Sequence, residues 1–370
     1  MKVKNKLPLI DKIILFLNAL LSLSLLTSYL AHLVDPATIW EFAFFGLAYP
    51  FLLMANLIMV IYWLLRRRWY ALLPVICIAY GWDVLTNSIG FHSSTADKGK
   101  PSDPANIRVM TYNVHNFKRY GAENDISTKH EILDIISHEQ PDILGIQEFY
   151  TRTVGQYDMR DSIMKIMNTT YYYFEPAVFN KTRALGIAIF SKYPITGNGF
   201  IRLVDGVSEN ACIYIDVKKG NRQLRIYSVH LQSIRFEPED YKYINSITHD
   251  GNTDMSSARR LGSKLKTAFI KRSTQVVKIK QAAAQCPYPY IISGDFNDTP
   301  ASYAVNYMAK GLKNAFREIG SGLGRTYNGN FPNFQIDYIM VSPQFDVASY
   351  DIIQKKLSDH FPVTSDLVLK

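Results

Sequence analysis

Two hydrophobic patterns divide this chain. In "KIILFLNALLSLSLLTSYLAHLV", Lys12 to Val34, no charge falls between Ile13 and Ala31, and "FAFFGLAYPFLLMANLIMVIYWLL", Phe42 to Leu65, carries none. Each supplies the ~20 apolar residues that cross a bilayer core. A third run, Trp69 to about Phe91, is also apolar but contains Pro74, Asp83 and Asn87. The pattern predicts three transmembrane helices within residues 1–92. The competing readings are a soluble hydrophobic hairpin or a signal peptide. No small-residue cleavage site follows the first run and two more runs come after it, which argues against a removed signal. Lys2, Lys4, Lys6 and Lys12 precede the first run and "RRRW", Arg66 to Trp69, joins the second to the third, whereas "HLVDPATIWE" between the first two has no Lys or Arg. The positive-inside rule then places the N-terminus in the cytoplasm of a multi-pass cell-membrane protein, with everything after Phe91 outside. Asp83 lies in the outward half of the third run, where reaching water suffices to explain it.

"HSSTADKGKPSDPAN", His92 to Asn106, has Ser, Asp, Pro and Gly without periodicity and reads as a linker over 93–105. From Asn106 the pattern changes to short apolar strands alternating with amphipathic helices. "NIRVMTYNVHNF" reads as a strand whose apolar run stops at Asn113. "STKHEILDIISHEQ" reads as a helix capped by Ser127 or Thr128, with Ile132, Leu133 and Ile136 on one face. "PDILGIQEF" is a strand ending at Glu148. Further strands are expected at "YYYFEP", "LGIAIFSKYPI", "NACIYIDV", "RQLRIYSVHLQS", "PYIISGDFN", "FQIDYIMVS" and "FPVTSDLVL". From about Ser257 to Gln285, Leu261, Leu265, Phe269, Val276, Ile279 and Ala283 mark a long helix. The domain spans 106–370.

Charge and cysteine add little. The formal charge is +9, with seven Lys or Arg against four Asp or Glu in residues 1–92 (+3) and +6 beyond. That surplus favours anionic partners, nucleic acid or acidic lipid, and says nothing about fold. Cys77, Cys212 and Cys286 are too few for a disulfide framework and show no zinc spacing. They are expected as separate buried residues rather than a Cys212–Cys286 bridge.

The chemistry sits where strands end. Strand after strand runs apolar and then finishes in a residue that binds metal or moves protons: Asn113, Glu148, His230, Asp295 with Asn297, and Asp337. "SDH", Ser358 to His360, immediately precedes the last strand. Any one of these is an ordinary turn residue; their repetition points to ligands gathering at strand ends. Carboxylates and an amide crowded at the tip of an apolar strand are costly unless they meet a cation, a phosphate or water.

"TYNV", "IQE", "SVHL", "SGDFN", "IDYI" and "SDHFP" occur in an order that resembles the endonuclease/exonuclease/phosphatase superfamily of DNase I-like nucleases, phosphoinositide phosphatases and sphingomyelinases. "GIAIFSKYPI" is similar to a companion stretch of that family. The resemblance implies an α/β fold, a four-layer α/β sandwich of two mixed β-sheets flanked by helices. It also implies phosphoric ester hydrolysis with Mg²⁺ or Mn²⁺, ions that suit all-oxygen sites. By resemblance Glu148 leads the metal ligands, with Asp359 and Asn113. By the same resemblance, Asp295 and Asn297 are the pair that positions the attacking water. His360 contacts the phosphate with Asp337 as its carboxylate partner, and His230 is a second phosphate-side histidine. Asp295 and His360 both fit a general base. His115 and Arg183 are the candidate substrate-binding residues: His115 stands where many members carry an Asp or other polar residue, and Arg183 is either a phosphate clamp or a surface residue.

The expected partners are a phosphate-ester substrate, nucleic acid or lipid headgroup, and the bilayer; no obligatory protein partner is evident. A nuclease-type phosphodiester hydrolase is the first reading, the same chemistry on a phospholipid or sphingolipid headgroup the second, and an inactive anchored binding module the third. The long connection Ser233 to Asp254 is a substrate wall or a surface excursion. Eight Lys or Arg and no acid between Ser256 and Cys286 fall mostly on the long helix's solvated face or meet an anion.

Overall fold

The computed structural model describes residues 7–92, 106–119, 126–247, 254–329, 332 and 334–370. The proposed linker, 93–105, lies outside them. Five helices come first: α1 (Leu9–Ser28), α2 (Glu41–Leu47), α3 (Tyr49–Leu65), α4 (Leu72–Tyr80) and α5 (Trp82–Ser88), followed by the short strand β1 (Ile89–Phe91). Among the described residues, only α1 is by itself long and apolar enough to cross a membrane. The second and third apolar runs, expected as continuous helices, are each broken. α2 meets α3 at 62°, and Trp69–Tyr80 meets α5 at 67°, so three spans result only if each bent pair counts as one.

This bundle is inside-out. Leu9, Ile13, Phe16, Leu20 and Leu23 form an exposed stripe on α1 at three- and four-residue steps, and Phe51, Met54, Ile58, Ile61 and Leu65 do the same on α3. The buried positions include five polar ones, Asp11, Asn18, Ser22, Ser28 and Asn56, beside Leu25, Tyr29, Tyr49, Leu53 and Trp63. Ser22 donates to Asn56 at 3.2 Å, and Asp11 accepts from Tyr62 at 2.8 Å and Arg66 at 2.7 Å. The Asp11–Arg66 pair sets α1 and α3 antiparallel, with Arg66, Arg67 and Arg68 at one end of the bundle.

The remainder follows as β2 (Asn106–Asn113), α6 (Ile126–Glu139), β3 (Ile143–Arg152), α7 (Met159–Met167), β4 (Tyr171–Phe179), β5 (Arg183–Ser191), β6 (Ile195–Ile201), β7 (Ala211–Lys219) and β8 (Arg222–His230). Then come α8 (Pro238–Asn245), α9 (Met255–Ala284), β9 (Tyr290–Asp295), α10 (Tyr303–Ala309), β10 (Lys313–Asn314), α11 (Ala315–Ile319) and β11 (Ser321–Leu323). The last strands are β12 (Asp337–Val341), β13 (Phe345–Val347), β14 (Asp351–Ile352) and β15 (Val363–Leu369). One sheet runs β10-β12-β9-β8-β7-β6 and the other β13-β15-β2-β3-β5-β4 with β14 on β15. Both are mixed: β2–β3 and β8–β9 pair parallel, the other strand pairs antiparallel.

Alternation along the strands makes the layers. Ile107, Val109, Ile187 and Ile189 of one sheet meet Ile213, Ile215, Ile226 and Ile339 of the other. The opposite faces carry Met110, Tyr112, Leu144 and Ile146 against Ile132, Ile136 and Ile163 of α6 and α7. On the other side Tyr227, Val229, Ile292 and Met340 meet Val276, Ile279 and Val305 of α9 and α10. Helices thus cover both outer faces of an α/β sandwich.

Three local expectations change. Ser127 and Thr128 lie inside α6 rather than capping it. "LGIAIFSKYPI" spans β5, a turn and the start of β6. The connection after β8 contains α8, whose Glu237 and Asp240 form a capping box. All three cysteines are free, Cys77 and Cys212 buried and Cys286 half-buried.

α8 is clamped onto α9 through buried Asp240, which accepts from Arg260 at 2.8 Å and Lys264 at 2.6 Å. Burial alone would raise its pKa; the Glu237 N–H, Lys264 and Arg260 outweigh that and hold it at about 2. A depressed carboxylate contributes stability above its unfolded value, about 3.9, and loses it as pH falls through the folded one. The protection of α8 amides against hydrogen exchange, relative to their intrinsic rates at each pH, should therefore fall between about pH 4 and pH 2, and Asp240→Asn should lower it already at pH 7. Unchanged protection in Asp240→Asn would remove this clamp from the account.

Candidate active site

Strand register brings the predicted residues to one level. His230 ending β8 pairs across from Asp295 ending β9, and Asp295 pairs across from Asp337 opening β12. Cross-strand partners share a face, so the three side chains point together into the space between the sheets. There the inter-sheet core turns polar: Thr111, Gln147, Ser228 and Ser293 are buried, and Gln147 donates to Ser228 at 3.0 Å. Gly294 makes the approach of β9 to β8 feasible. At φ 145° it has no room for a side chain, because a Cβ would lie 2.0 Å from the Val229 carbonyl oxygen.

The facing sheet adds Asn113 and Glu148. Asn113 donates to Glu148 and to Asp295, both at 3.2 Å, and its oxygen accepts from the His115 N–H. Glu148 is set by a bulge, since the β3–β5 register shifts between Ile146 and Phe149 and Glu148 takes φ 52°. His115, Asn116, Arg235 and Asn297 also hold positive φ and, with Glu148, line the same cleft. That is five of the nine such non-glycine residues described, so backbone strain is concentrated here.

The cleft, about 300 Å³, is lined on its polar side by Asn113, His115, Glu148, His230, Asp295, Asn297, Asp359 and His360. His360 Nδ1 lies 2.9 Å from Asp337 Oδ2, both buried. Burial by itself would lower the His360 pKa, yet Asp337, Asp295 and Asp359 outweigh it and hold the ring well above the ordinary value. Burial likewise raises Asp337, against the pull of His360. With three carboxylates around the ring, the shared proton belongs on the imidazole. Tyr327 closes over His360 edge-on at 5.6 Å. Asp295 accepts from the Asn297 backbone at 2.7 Å and from the Asn297 amide at 3.0 Å. His230 is buried, neither ring nitrogen makes a hydrogen bond, and Nε2 stands 3.6 Å from Asp295.

Two groups could hold a cation. Asp295, Asp337 and His360 converge closely, but Asp337 occupies Nδ1 of His360, so this trio is better explained as a hydrogen-bonded imidazole–carboxylate pair. Glu148 and Asp359 offer the other set. Burial raises Glu148, and Asp359 raises it further, which marks two carboxylates sharing one cavity without full compensation. With Asn113 beside them, these oxygens fit a hard divalent cation.

Arg183 does not join the cleft; it is exposed at the start of β5, opposite Arg152. A different arginine does. Arg272 of α9 is buried and lines the cleft, with Nε donating to the Gln232 carbonyl at 2.7 Å and Nη1 3.5 Å from Asp298. Its Nη2 has no partner. The signal was in the sequence: position 272 fills the gap in the stripe Leu265, Phe269, Val276, Ile279, where an apolar residue would be expected. The expectation that α9's basic residues face solvent fails here because the helix seals the ends of β8 and β9.

Arg272→Met should cost about 3–5 kcal/mol by stranding Asp298 as a buried unpaired charge. Adding Asp298→Leu should recover much of it. Thermal unfolding in detergent checks both; a single variant as stable as the parent would show that the pair carries no structural weight.

Comparison with known proteins agrees with this architecture. A profile of a domain of unknown function (DUF8431) matches residues 11–88, and no curated protein matches the chain. An endonuclease/exonuclease/phosphatase from Beutenbergia cavernae is similar in structure at TM-score 0.51 and 18% identity, over 71% of this chain and 72% of that one. A family protein from Bacteroides thetaiotaomicron gives TM-score 0.51 at 18% identity, over 72% and 98%. One from Bacteroides vulgatus gives 0.51 at 17%, over 72% and 99%. At such identities these likenesses speak for the fold alone. The profile of the endonuclease/exonuclease/phosphatase family matches residues 110–360, from within β2 to His360, and the chain belongs to that family.

Proposed function

We propose that this chain is a divalent-cation-dependent phosphoric ester hydrolase held on a membrane by its N-terminal helices, with residues 106–370 as the catalytic part. The observation that carries the reading is the meeting, in one cleft, of the Glu148, Asp359 and Asn113 oxygens with the His360 imidazole held by Asp337 and with the Asp295 carboxylate. Glu148, Asp359 and Asn113 would hold Mg²⁺ or Mn²⁺. When bound, the ion would draw charge from a phosphoryl oxygen. His360, fixed through Nδ1 by Asp337, presents Nε2 to the phosphate as a donor. His230 has both ring nitrogens available beside it. Because His360 carries its proton, Asp295 is the better base. Oriented by Asn297, it takes the proton of a water attacking phosphorus while the opposite ester P–O bond breaks.

The membrane reading rests on the inside-out bundle. Exposed Leu, Ile and Phe stripes on α1 and α3 are costly in water and favourable in lipid, and the polar groups buried between the helices match the interior of a membrane bundle. In this reading each bent pair is one span. Arg66, Arg67 and Arg68 mark the cytoplasmic end. The catalytic part packs at the opposite end, where a Gly46 Cβ would touch Ala31 and the Ala301 carbonyl, so it lies outside the cytoplasm.

Full-length protein in detergent should hydrolyse bis-p-nitrophenyl phosphate only with Mg²⁺ or Mn²⁺. EDTA should abolish turnover, and Asp295→Asn or His360→Ala should lower kcat by about 10²–10⁴-fold. Turnover that survives EDTA and both substitutions rejects the mechanism. For topology, a tag after Lys370 should be cleaved by protease added to sealed, right-side-out membrane vesicles; protection there would reverse the orientation.

A further inference from the structure

The cleft has a second wall that the hydrolytic reading does not use. Leu47, Ile234, Phe236, Leu265, Phe269 and Phe334 line the cleft beside the polar residues. Phosphate chemistry needs no such surface, and an apolar wall of this size selects an apolar partner. Leu47 is the unexpected member, because it belongs to the helical bundle: it ends α2 where the chain bends into α3.

The wall is continuous with the bundle's exposed face. Phe51 on α3, 57% exposed, meets Phe334 edge-on at 6.4 Å, and Phe44 on α2 meets Phe269 at 5.4 Å. The bend is held tightly in place. A Cβ on Gly46 would lie 2.5 Å from the Ala31 Cβ and 3.3 Å from the Ala301 oxygen. Asp83 to Arg317 at 3.3 Å, Asn87 to Asn306 at 3.2 Å and the pairing of β1 with β11 fasten the other side of the junction.

Charge along α9 argues against a polynucleotide on this face. Arg260 and Lys264 bind Asp240, Lys266 sits over the Trp40 ring at 4.4 Å, Lys280 donates to the Lys310 carbonyl and Arg272 is buried. A phosphate-tracking groove needs solvent-facing cations free to release counterions, and most of these are already engaged. At the seam between the two walls stands Arg272, with its unpartnered Nη2.

We propose that the substrate is a lipid phosphoester. Its phosphate lies among Arg272, His230 and His360, and its hydrocarbon chain runs over Leu47 and Phe334 into the bilayer beside α3. The inference rests on the hydrolase reading above. It makes the bent α2–α3 pair part of the substrate site rather than a tether.

The test uses full-length protein in phosphatidylcholine nanodiscs turning over bis-p-nitrophenyl phosphate, with butyl phosphate, decyl phosphate and a single-stranded oligonucleotide as competitors. Decyl phosphate should inhibit at least tenfold more strongly than butyl phosphate. Leu47→Glu, or Phe334→Ser should Leu47→Glu not fold, should reduce that ratio to below threefold. A ratio near one in the parent overturns the lipid assignment, as does a ratio that both variants leave intact, which would report only partition into the disc. Stronger competition by the oligonucleotide than by decyl phosphate overturns it in favour of nucleic acid. Absence of metal-dependent turnover of the soluble ester is a different failure, because it removes the hydrolase reading and the inference with it.

Discussion

Everything in this molecule turns on placing several carboxylates in one partly dry cavity. Asp295 and Asp337 are buried at neighbouring strand ends and Glu148 and Asp359 line the same cleft; Asp359 makes Glu148 costlier to ionise, as Asp295 does Asp337. The sandwich tolerates this through compensation from outside the carboxylate set. His360 takes a proton, Asn113 and Asn297 donate amide N–H groups, and the remaining negative charge is what a cation would offset. A site of this kind cannot be assembled by one segment. It needs two sheets whose polar ends meet while their apolar middles hold them together.

The same logic orders the helical bundle in reverse. Polar residues are buried inside it and long apolar stripes face outward, so the packing of α1 against α3 joins hydrogen bonds to the contacts of Leu25, Tyr49 and Leu53. Where the bundle meets the sandwich, Gly46 permits the close approach, and Phe44 and Phe51 pass the apolar surface of the helices on to Phe269 and Phe334. Asp83, read from sequence as merely reaching water, is exposed and pairs with Arg317 across that junction. The helical bundle and the apolar wall of the cleft therefore share one set of contacts.

What could be read from the chain alone was whatever has a short period or a local signature. Alternation marked the strands, three- and four-residue steps marked α9, and a polar residue at the end of each apolar run marked the cleft. Tertiary structure decided the rest, because the rest depends on what lies opposite. Arg183 and Arg272 look equivalent in sequence; one is exposed at the start of β5 and the other is sealed beneath β8 and β9 by the helix that carries it. The bends at Ala48 and Gly81 leave hydropathy unchanged and so were invisible to it, yet the first of them delivers Leu47 to the cleft. Composition along a segment reports the solvent that segment prefers. Only the packing of distant segments reports which side chains share a cavity, and with it the substrate that cavity will accept.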